Sequence, residues 1–120
     1  MSRDASVTLL WADGKYVFHL DWGALIQLQE ACNAGPYEIL RRLNVGTWRI
    51  QEISHVIRLG LIGGGLEPAK ALNLVEYYVE KRPPMENLVF AQGILTVGLQ
   101  GAPDEPPGKP DAAPETQGSE

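Results

Sequence analysis

The sequence is poor in the residue types that form catalytic sites, metal sites and disulfides. Its single cysteine, Cys32, cannot form an internal disulfide, which fits a reducing compartment. Only two histidines occur, His19 and His55, and no H-x-x-x-H or C-x-x-C motif is present, which argues against a zinc site. Cys32 stands beside Ala31 in an apolar pattern and is expected to be a small buried residue. We therefore expect no enzyme, no cofactor and no metal ion.

Long apolar runs and an excess of positive charge are also missing. No stretch approaches the roughly 18–20 apolar residues that span a bilayer, and Met-Ser-Arg-Asp at the start lacks the apolar core of a signal peptide. The net charge is −5, and residues 102–120 carry most of it. The remaining, nearly neutral body offers no electrostatic surface for nucleic acid. We expect a cytoplasmic protein with neither a nucleic-acid nor a membrane partner.

Residues 6–20 have the pattern of a β-hairpin. Two segments rich in β-branched and aromatic residues, 6–11 and 15–20, flank Ala12-Asp13-Gly14, and Asp-Gly suits the positive φ angles of a tight turn. An isolated hairpin is marginally stable in water, so the following helices are expected to support it. The alternation directs two sets of side chains to shared faces, Val7, Leu9 and Trp11 from the first strand and Tyr16, Phe18 and Leu20 from the second.

Apolar residues at steps of three and four predict five short helices, over about 22–33, 36–43, 48–61, 68–80 and 85–99. Asp21 and Thr47 are the predicted N-caps of the first and third helices. The apolar stripes predict that Leu25, Ala31 and Ile50 face the core and that Glu52 lies off the buried stripe.

Gly63, Gly64 and Gly65 follow the third predicted helix. A phosphate-binding loop would instead follow a strand and end in Gly-Lys-Ser or Gly-Lys-Thr. The glycines are therefore predicted to form a structural turn between helices that needs positive φ angles.

The chain divides into two parts of different composition. Residues 1–101 are predicted to form one α+β domain, an N-terminal β-hairpin packed on about five short helices. Residues 102–120 contain five prolines and five acids but no large apolar side chain. Such a segment cannot bury enough apolar surface to offset the entropy lost on ordering. It is predicted to be a disordered acidic tail.

Three aromatic residues are candidates for contact with a partner protein: Trp22, Trp48 and Tyr77. Trp22 and Trp48 directly follow predicted caps, where an aromatic ring either packs over the helix end or contacts a partner. Tyr77 lies off the predicted stripe of the fourth helix. We predict that Trp48 and Tyr77 border a groove that accepts an amphipathic helix.

The order of short motifs resembles a known family. The motifs are Asp21-Trp-Gly-Ala-Leu25, Thr47-Trp-Arg-Ile50, Arg58-Leu-Gly-Leu-Ile-Gly-Gly-Gly65, Leu74-Val-Glu76 and Arg82-Pro83. Over about residues 6–101, the chain resembles the gene transfer agent family of small phage proteins, also catalogued as a class of phage tail assembly chaperones. The resemblance implies a chaperone that keeps the tape measure protein soluble and is absent from the finished particle. It implies no catalytic residues.

Two other functions stay open beside the chaperone. One is a structural minor tail component, associated with the tail tube and retained in the particle; the other is a small nucleic-acid-binding regulator. A tube subunit is expected to consist mostly of β structure, so the helical pattern favours the chaperone. The expected partner is the tape measure protein, with the tail tube protein and self-association as further options.

Overall fold

The computed structural model describes residues 5–102, which form a two-stranded hairpin followed by helices. The predicted α+β architecture is confirmed, whereas the prediction of disorder lies outside the described residues from 103 onward. The elements are β1 (Ser6–Trp11), β2 (Gly14–His19), α1 (Trp22–Cys32), α2 (Pro36–Val45), α3 (Ile50–Gly63), α4 (Pro68–Val75), a π-helical segment (Glu76–Glu80), a 3-10 turn (Pro84–Asn87) and α5 (Leu88–Gln100).

The antiparallel hairpin has its predicted faces but a slightly different turn. Trp11 pairs with Gly14, so Ala12 and Asp13 form a two-residue turn. The positive φ lies at Ala12 (57°), and not at the predicted Asp-Gly pair. The inward face carries the residues that the alternation predicted, Val7, Leu9, Trp11, Tyr16 and Phe18, all of which pack against or within the core.

Helix α3 is the centre of the core, because it contacts β2, α1, α4 and α5. Its apolar side chains pack against large buried residues of the surrounding elements. Fully burying one such side chain contributes about 1.5–3 kcal/mol to the stability of the fold. Because α3 lies against β2, it supplies most of the support that the hairpin needs. Fully buried members of this core include Phe18, Leu28, Leu43, Ile57 and Leu95.

The buried stripe of α1 differs from the prediction at Leu25 and Ala31. Its buried residues are Ala24, Leu28 and Cys32, whereas Leu25 is half-buried and Ala31 is exposed. The helix is therefore rotated about its axis relative to the stripe inferred from spacing alone. The predicted cap is confirmed, because the Asp21 carboxylate accepts a hydrogen bond from the Ala24 amide at 2.8 Å.

The start of α3 corrects three predictions. The helix begins at Ile50 and is capped by Arg49, not by Thr47. The Ile50 side chain, expected in the core, is 63% exposed, and Glu52, expected off the buried stripe, is fully buried. The helix thus lacks the first two residues of the predicted range, and a specific ion pair with Arg42 holds Glu52 inside, which apolar spacing cannot reveal.

The glycine run ends α3, but for a different reason than predicted. Only Gly65 has a positive φ, of 110°. A Cβ added to Gly63 would lie 1.8 Å from the His19 carbonyl oxygen, and one added to Gly64 would lie 2.0 Å from that of Val17. Two of the three glycines are thus required because the backbone of β2 lies directly against the end of α3.

The predicted fourth helix is α-helical only as far as Val75. It continues as the π-helical segment, in which Val79 is buried and Tyr77 is exposed. The 3-10 turn then leads into α5, whose α-helical residues begin at Leu88, three residues later than predicted. None of the helices in residues 5–102 is long and apolar enough to cross a membrane.

Candidate interaction surfaces

Trp22 is the most exposed of the three predicted contact residues, at 81%. It occupies the first position of α1, where Asp21 caps the helix and leaves the indole ring free to lie outside. The ring therefore does not fold over the helix end into the core, as one interpretation had it. It lines a shallow, mainly apolar depression between α1, α2 and α5, here named the Trp22 groove, formed by Trp22, Leu25, Ile26, Gln29, Pro36 and Leu99.

Trp48 and Tyr77 occupy different environments. Trp48 lies in the link between α2 and α3, where it is half-buried against the core, so its packing interpretation is favoured. Tyr77 is 59% exposed, and its ring meets that of Tyr78 edge-on at 4.8 Å between centroids. Tyr78 in turn contacts the Trp11 ring and lies under the Arg82 guanidinium.

The three predicted residues do not share one groove: Trp22 lines the Trp22 groove, whose lining includes neither Trp48 nor Tyr77. A second apolar groove lies instead between the start of α3 and the π-helical segment. Sequence reasoning missed it because Ile50 was expected in the core. This Ile50 groove is lined by Ile50, Gln51, Ile53, Ser54, Val79, Glu80, Arg82 and Pro84.

Helix α5 adds an unusual surface, because it carries no charged residue from Leu88 to Gln100. Here Ala91, Ile94 and Leu95 face the core, but Val89 is 66% exposed. Part of an uncharged helix therefore faces solvent.

A buried carboxylate and its hydrogen-bond partners connect α1, α2 and α3. Glu52 is fully buried and accepts two hydrogen bonds, from the Arg42 guanidinium at 2.6 Å and from the Arg49 amide at 3.0 Å. The Arg49 guanidinium also donates to the Cys32 carbonyl oxygen at 3.2 Å. Each oxygen of the carboxylate has a partner, so the buried charge fixes how the three helices meet.

The arginines of α2 extend this network to the surface. Arg41 donates two hydrogen bonds to the Glu38 carboxylate, and Arg42 donates a third at 3.2 Å. These hydrogen bonds, those of Arg41 above all, hold the pKa of Glu38 at about 2. The Arg41–Arg42 pair is thus committed to carboxylates within the domain, which explains it without any phosphate ligand.

A second buried polar junction joins the hairpin to the C-terminal half. The Trp11 indole N–H donates to the Asn87 side-chain oxygen at 2.8 Å. The Asn87 side-chain nitrogen donates to the Tyr78 carbonyl oxygen at 3.0 Å. Asn87 therefore connects β1, where Trp11 lies 76 residues earlier in the sequence, to the π-helical segment.

The fold also shifts the pKa values of two partly buried side chains, Cys32 and His55. Burial raises the pKa of the Cys32 thiol to about 11, so the thiol stays protonated near neutral pH and is a poor nucleophile. Burial and the nearby Arg58 lower the pKa of His55. Because arginine can only donate, the 3.2 Å contact with Arg58 makes the His55 Nδ1 atom the acceptor. Within residues 5–102, no three His, Cys, Asp or Glu side chains are grouped to hold a metal ion.

Comparison with known proteins gives a family for this domain. A family model described as "Phage tail tube protein, GTA-gp10" matches residues 4–101. The chain belongs to this family. The match spans every element from β1 to α5. No curated protein and no solved structure matches the chain.

The family match confirms that the chain is a tail protein but contradicts the role that the resemblance implied. The assignment to a phage or gene-transfer-agent tail protein is confirmed. The prediction of an assembly chaperone is wrong, because the family is described as one of phage tail tube proteins, which are structural components. The prediction of absence from the finished particle is wrong for the same reason. Helical content misled the choice, because the secondary structure of a domain does not determine what it assembles into.

Proposed function

We propose that this chain is a structural subunit of the tail of a phage or gene-transfer-agent particle, that it is retained in the particle, and that it performs no catalysis. The observation that carries the proposal is the tail-tube family match over residues 4–101. This range contains both apolar grooves and the uncharged helix α5. The proposal thus concerns the folded domain as a whole.

The surfaces of the domain suit a building block. The Trp22 groove, the Ile50 groove and the exposed side of α5 are apolar areas carried by three different parts of one fold. The junctions at Glu52 and Asn87 hold those parts in fixed relation. Surfaces that are held rigid lose less conformational entropy on association, so they favour repeated assembly.

The partners are proposed in two steps. The first is further copies of this chain, because a tube requires repeated contacts between subunits. The second is the tape measure protein, as the sequence resemblance implied, and contact with it would occur in the assembled tail. Pull-down of a tagged subunit with and without co-expressed tape measure protein separates the two steps.

The decisive experiment is quantitative mass spectrometry of purified particles. If the chain is a tube subunit, it is present in many copies per particle and stays with the tails through density-gradient purification. The major capsid protein serves as an internal standard for copy number. A chain abundant in the lysate but missing from purified particles would overturn the proposal.

A genetic experiment tests the same function independently. Deleting the reading frame is expected to leave capsids that package DNA but carry no complete tail in negative-stain micrographs. Expression from a plasmid should restore the tails. Normal tails in the deletion strain would contradict a structural role.

A further inference from the structure

The Trp22 groove lies next to the point where the chain leaves the folded domain. Leu99, in the last turn of α5, lines the groove, and the described residues end three positions later at Ala102. The same turn packs closely on the link that leads into α1, because a Cβ added to Gly98 would lie 2.9 Å from the Cβ of Leu20. The residues from 103 onward therefore start beside the groove.

The groove has the features of a site for an extended, proline-rich segment. The Trp22 ring is 81% exposed and lines the groove together with the apolar residues Leu25 and Ile26. The Trp22 indole and the Gln29 amide both carry N–H groups that can donate hydrogen bonds. Polyproline II segments bind in aromatic-lined grooves, and their backbone offers unpaired carbonyl groups to such donors. None of the residues that line the groove is charged.

The chain itself supplies a segment of this kind directly after the domain. Residues 103–107 read Pro-Asp-Glu-Pro-Pro, which contains the P-x-x-P spacing. A polyproline II helix has three residues per turn, so Pro103 and Pro106 share one edge of it. Asp104 and Glu105 lie on the other edges, away from that of the prolines. The segment can therefore present proline rings to an apolar groove without burying either acid.

We propose that residues 103–107 dock as a polyproline II segment in the Trp22 groove of the same chain. Seven residues of polyproline II structure, the separation of Leu99 and Pro106, span about 22 Å. The groove has a volume of about 250 Å³, so it lies well within this reach. An attached segment meets the groove at an effective concentration in the millimolar range, which favours it over the same segment of another copy.

Docking is compatible with the low apolar content of residues 102–120. That content predicts no folded structure for the tail by itself. The φ angles of proline are fixed before docking, so a proline-rich segment loses less conformational entropy than an ordinary one. The contact involves only a few residues, and we expect it to be weak and reversible. A subunit contact through the Trp22 groove can therefore displace the segment.

Exchange of the Trp22 indole N–H with water measures the contact in the full chain. The indole resonances are observed by NMR, and the Trp22→Phe variant identifies that of Trp22. The test variant combines Pro103→Ala, Pro106→Ala and Pro107→Ala. The matched control combines Pro110→Ala and Pro114→Ala, which lie farther along the tail. All five substitutions lie beyond the folded domain, so neither variant is expected to unfold it.

We expect the Trp22 indole N–H to exchange about threefold more slowly in the native chain than in the test variant. That ratio corresponds to a segment that occupies the groove about two thirds of the time. The control should exchange like the native chain. Equal exchange in the native chain and the test variant would overturn the proposal. So would protection that disappears on dilution, because the occupant would then be the tail of another copy.

A synthetic peptide of residues 102–108 tests the same contact without the covalent link. Added to the test variant, it should shift the Trp22 indole and Gln29 side-chain amide resonances. The native chain should need about threefold more peptide for the same shift, because its own segment competes. The control peptide has alanine in place of each proline. Absence of any shift at millimolar peptide would contradict the docking.

The docking and the tail role can fail separately. Docking is a property of the free chain in solution, whereas the tail role is measured in purified particles. If the chain is found in particles but its free form shows no protection of Trp22, only the docking is refuted. If Trp22 is protected but the chain is missing from particles, only the tail role is refuted.

Discussion

Trp11 and Trp22 lie at the ends of two different elements, β1 and α1, and have opposite environments. Trp11 at the end of β1 is only 3% exposed, whereas Trp22 at the start of α1 is 81% exposed. The Trp11 ring packs edge-on to Tyr16 and Phe18, and its N–H bonds to Asn87. Trp11 can be buried because Asn87, from a distant part of the chain, accepts a hydrogen bond from the N–H of its ring. Without such a partner in the described residues, the Trp22 ring lies mainly in solvent.

The first turn of α3 shows the same contrast at closer range. Ile50 is exposed and Glu52 is buried, although their side-chain chemistry alone favours the reverse. Arg42 and the Arg49 amide compensate the buried carboxylate, and Ile50 lines a groove. The domain therefore has rigid polar junctions inside and apolar surfaces outside, and the following predictions test that division.

The largest expected effect is the loss of the Glu52 carboxylate. Glu52→Ala should lower the free energy of unfolding by about 3–5 kcal/mol, because it leaves Arg42 and the Arg49 amide without their buried partner. Urea denaturation followed by tryptophan fluorescence measures the change. The neighbouring exposed Gln51→Ala is the control and should change stability by less than about 0.5 kcal/mol. A loss below about 1 kcal/mol at Glu52 would contradict a structural ion pair.

The next effect concerns the contact between α3 and β2. Gly63→Ala should destabilise the fold by about 3 kcal/mol, because its Cβ would overlap the His19 carbonyl oxygen and force the hairpin away. Gly93→Ala in α5 is the matched control, since nothing lies within 4 Å of the added carbon. That control should stabilise the helix by about 0.5–1 kcal/mol. Thermal denaturation of both variants compares them, and equal effects would refute the close approach.

Phenylalanine substitutions test the two tryptophans directly. Trp11→Phe should cost about 1–3 kcal/mol, because the Asn87 oxygen is left buried without its donor. Trp22→Phe should change the free energy of unfolding by less than about 0.5 kcal/mol. Urea unfolding followed by circular dichroism is unaffected by the lost fluorophores. If both variants lose the same stability, the proposed difference between the two sites is wrong.

A smaller effect is expected from the pH dependence of stability. The pKa of His55 is lowered from its ordinary value of 6.5, so the unfolded chain binds the proton more readily than the folded one. The His55 contribution to stability is therefore complete above pH 6.5 and is lost as pH falls through the lowered pKa. Unfolding measured between pH 7.5 and about pH 5 should show this decline. The His55→Gln variant should show a shallower decline, and an identical slope would contradict the assignment.

The smallest expected effect on stability, and a large one on assembly, belongs to the Trp22 groove. Trp22→Ala should change the free energy of unfolding by less than about 0.5 kcal/mol, because the ring is mainly in solvent. Its incorporation into particles should fall sharply if the groove is a subunit contact. Tyr37→Ala is the control, since Tyr37 is similarly exposed but does not line the groove. Normal incorporation of folded Trp22→Ala would exclude the groove from assembly.

Local sequence patterns predicted much of the fold. The alternation in β1 and β2 identified the inward face of the hairpin, Asp21 marked the start of α1, and Gly35-Pro36 marked the start of α2. These features depend on neighbouring residues, so they can be predicted from spacing. The candidate contact residues differ in exposure, since Trp22 and Tyr77 are exposed and Trp48 is half-buried, and their role in binding stays a prediction. Their positions depend on how helices pack, which spacing within one helix does not encode.

Residue order and composition thus determined the order of the elements and the α+β class, because each depends on short-range periodicity and turn chemistry. Tertiary packing decided which charged residue is buried and which apolar residues stay outside. Glu52 is inside because Arg42, ten residues earlier, forms an ion pair with it, and Trp11 is inside because the Asn87 side-chain oxygen, 76 residues later, accepts a hydrogen bond from its N–H. Gly63 and Gly64 are needed because β2 lies against them. Each of these outcomes depends on an atom supplied by another element, and such an atom is brought close only when the chain folds.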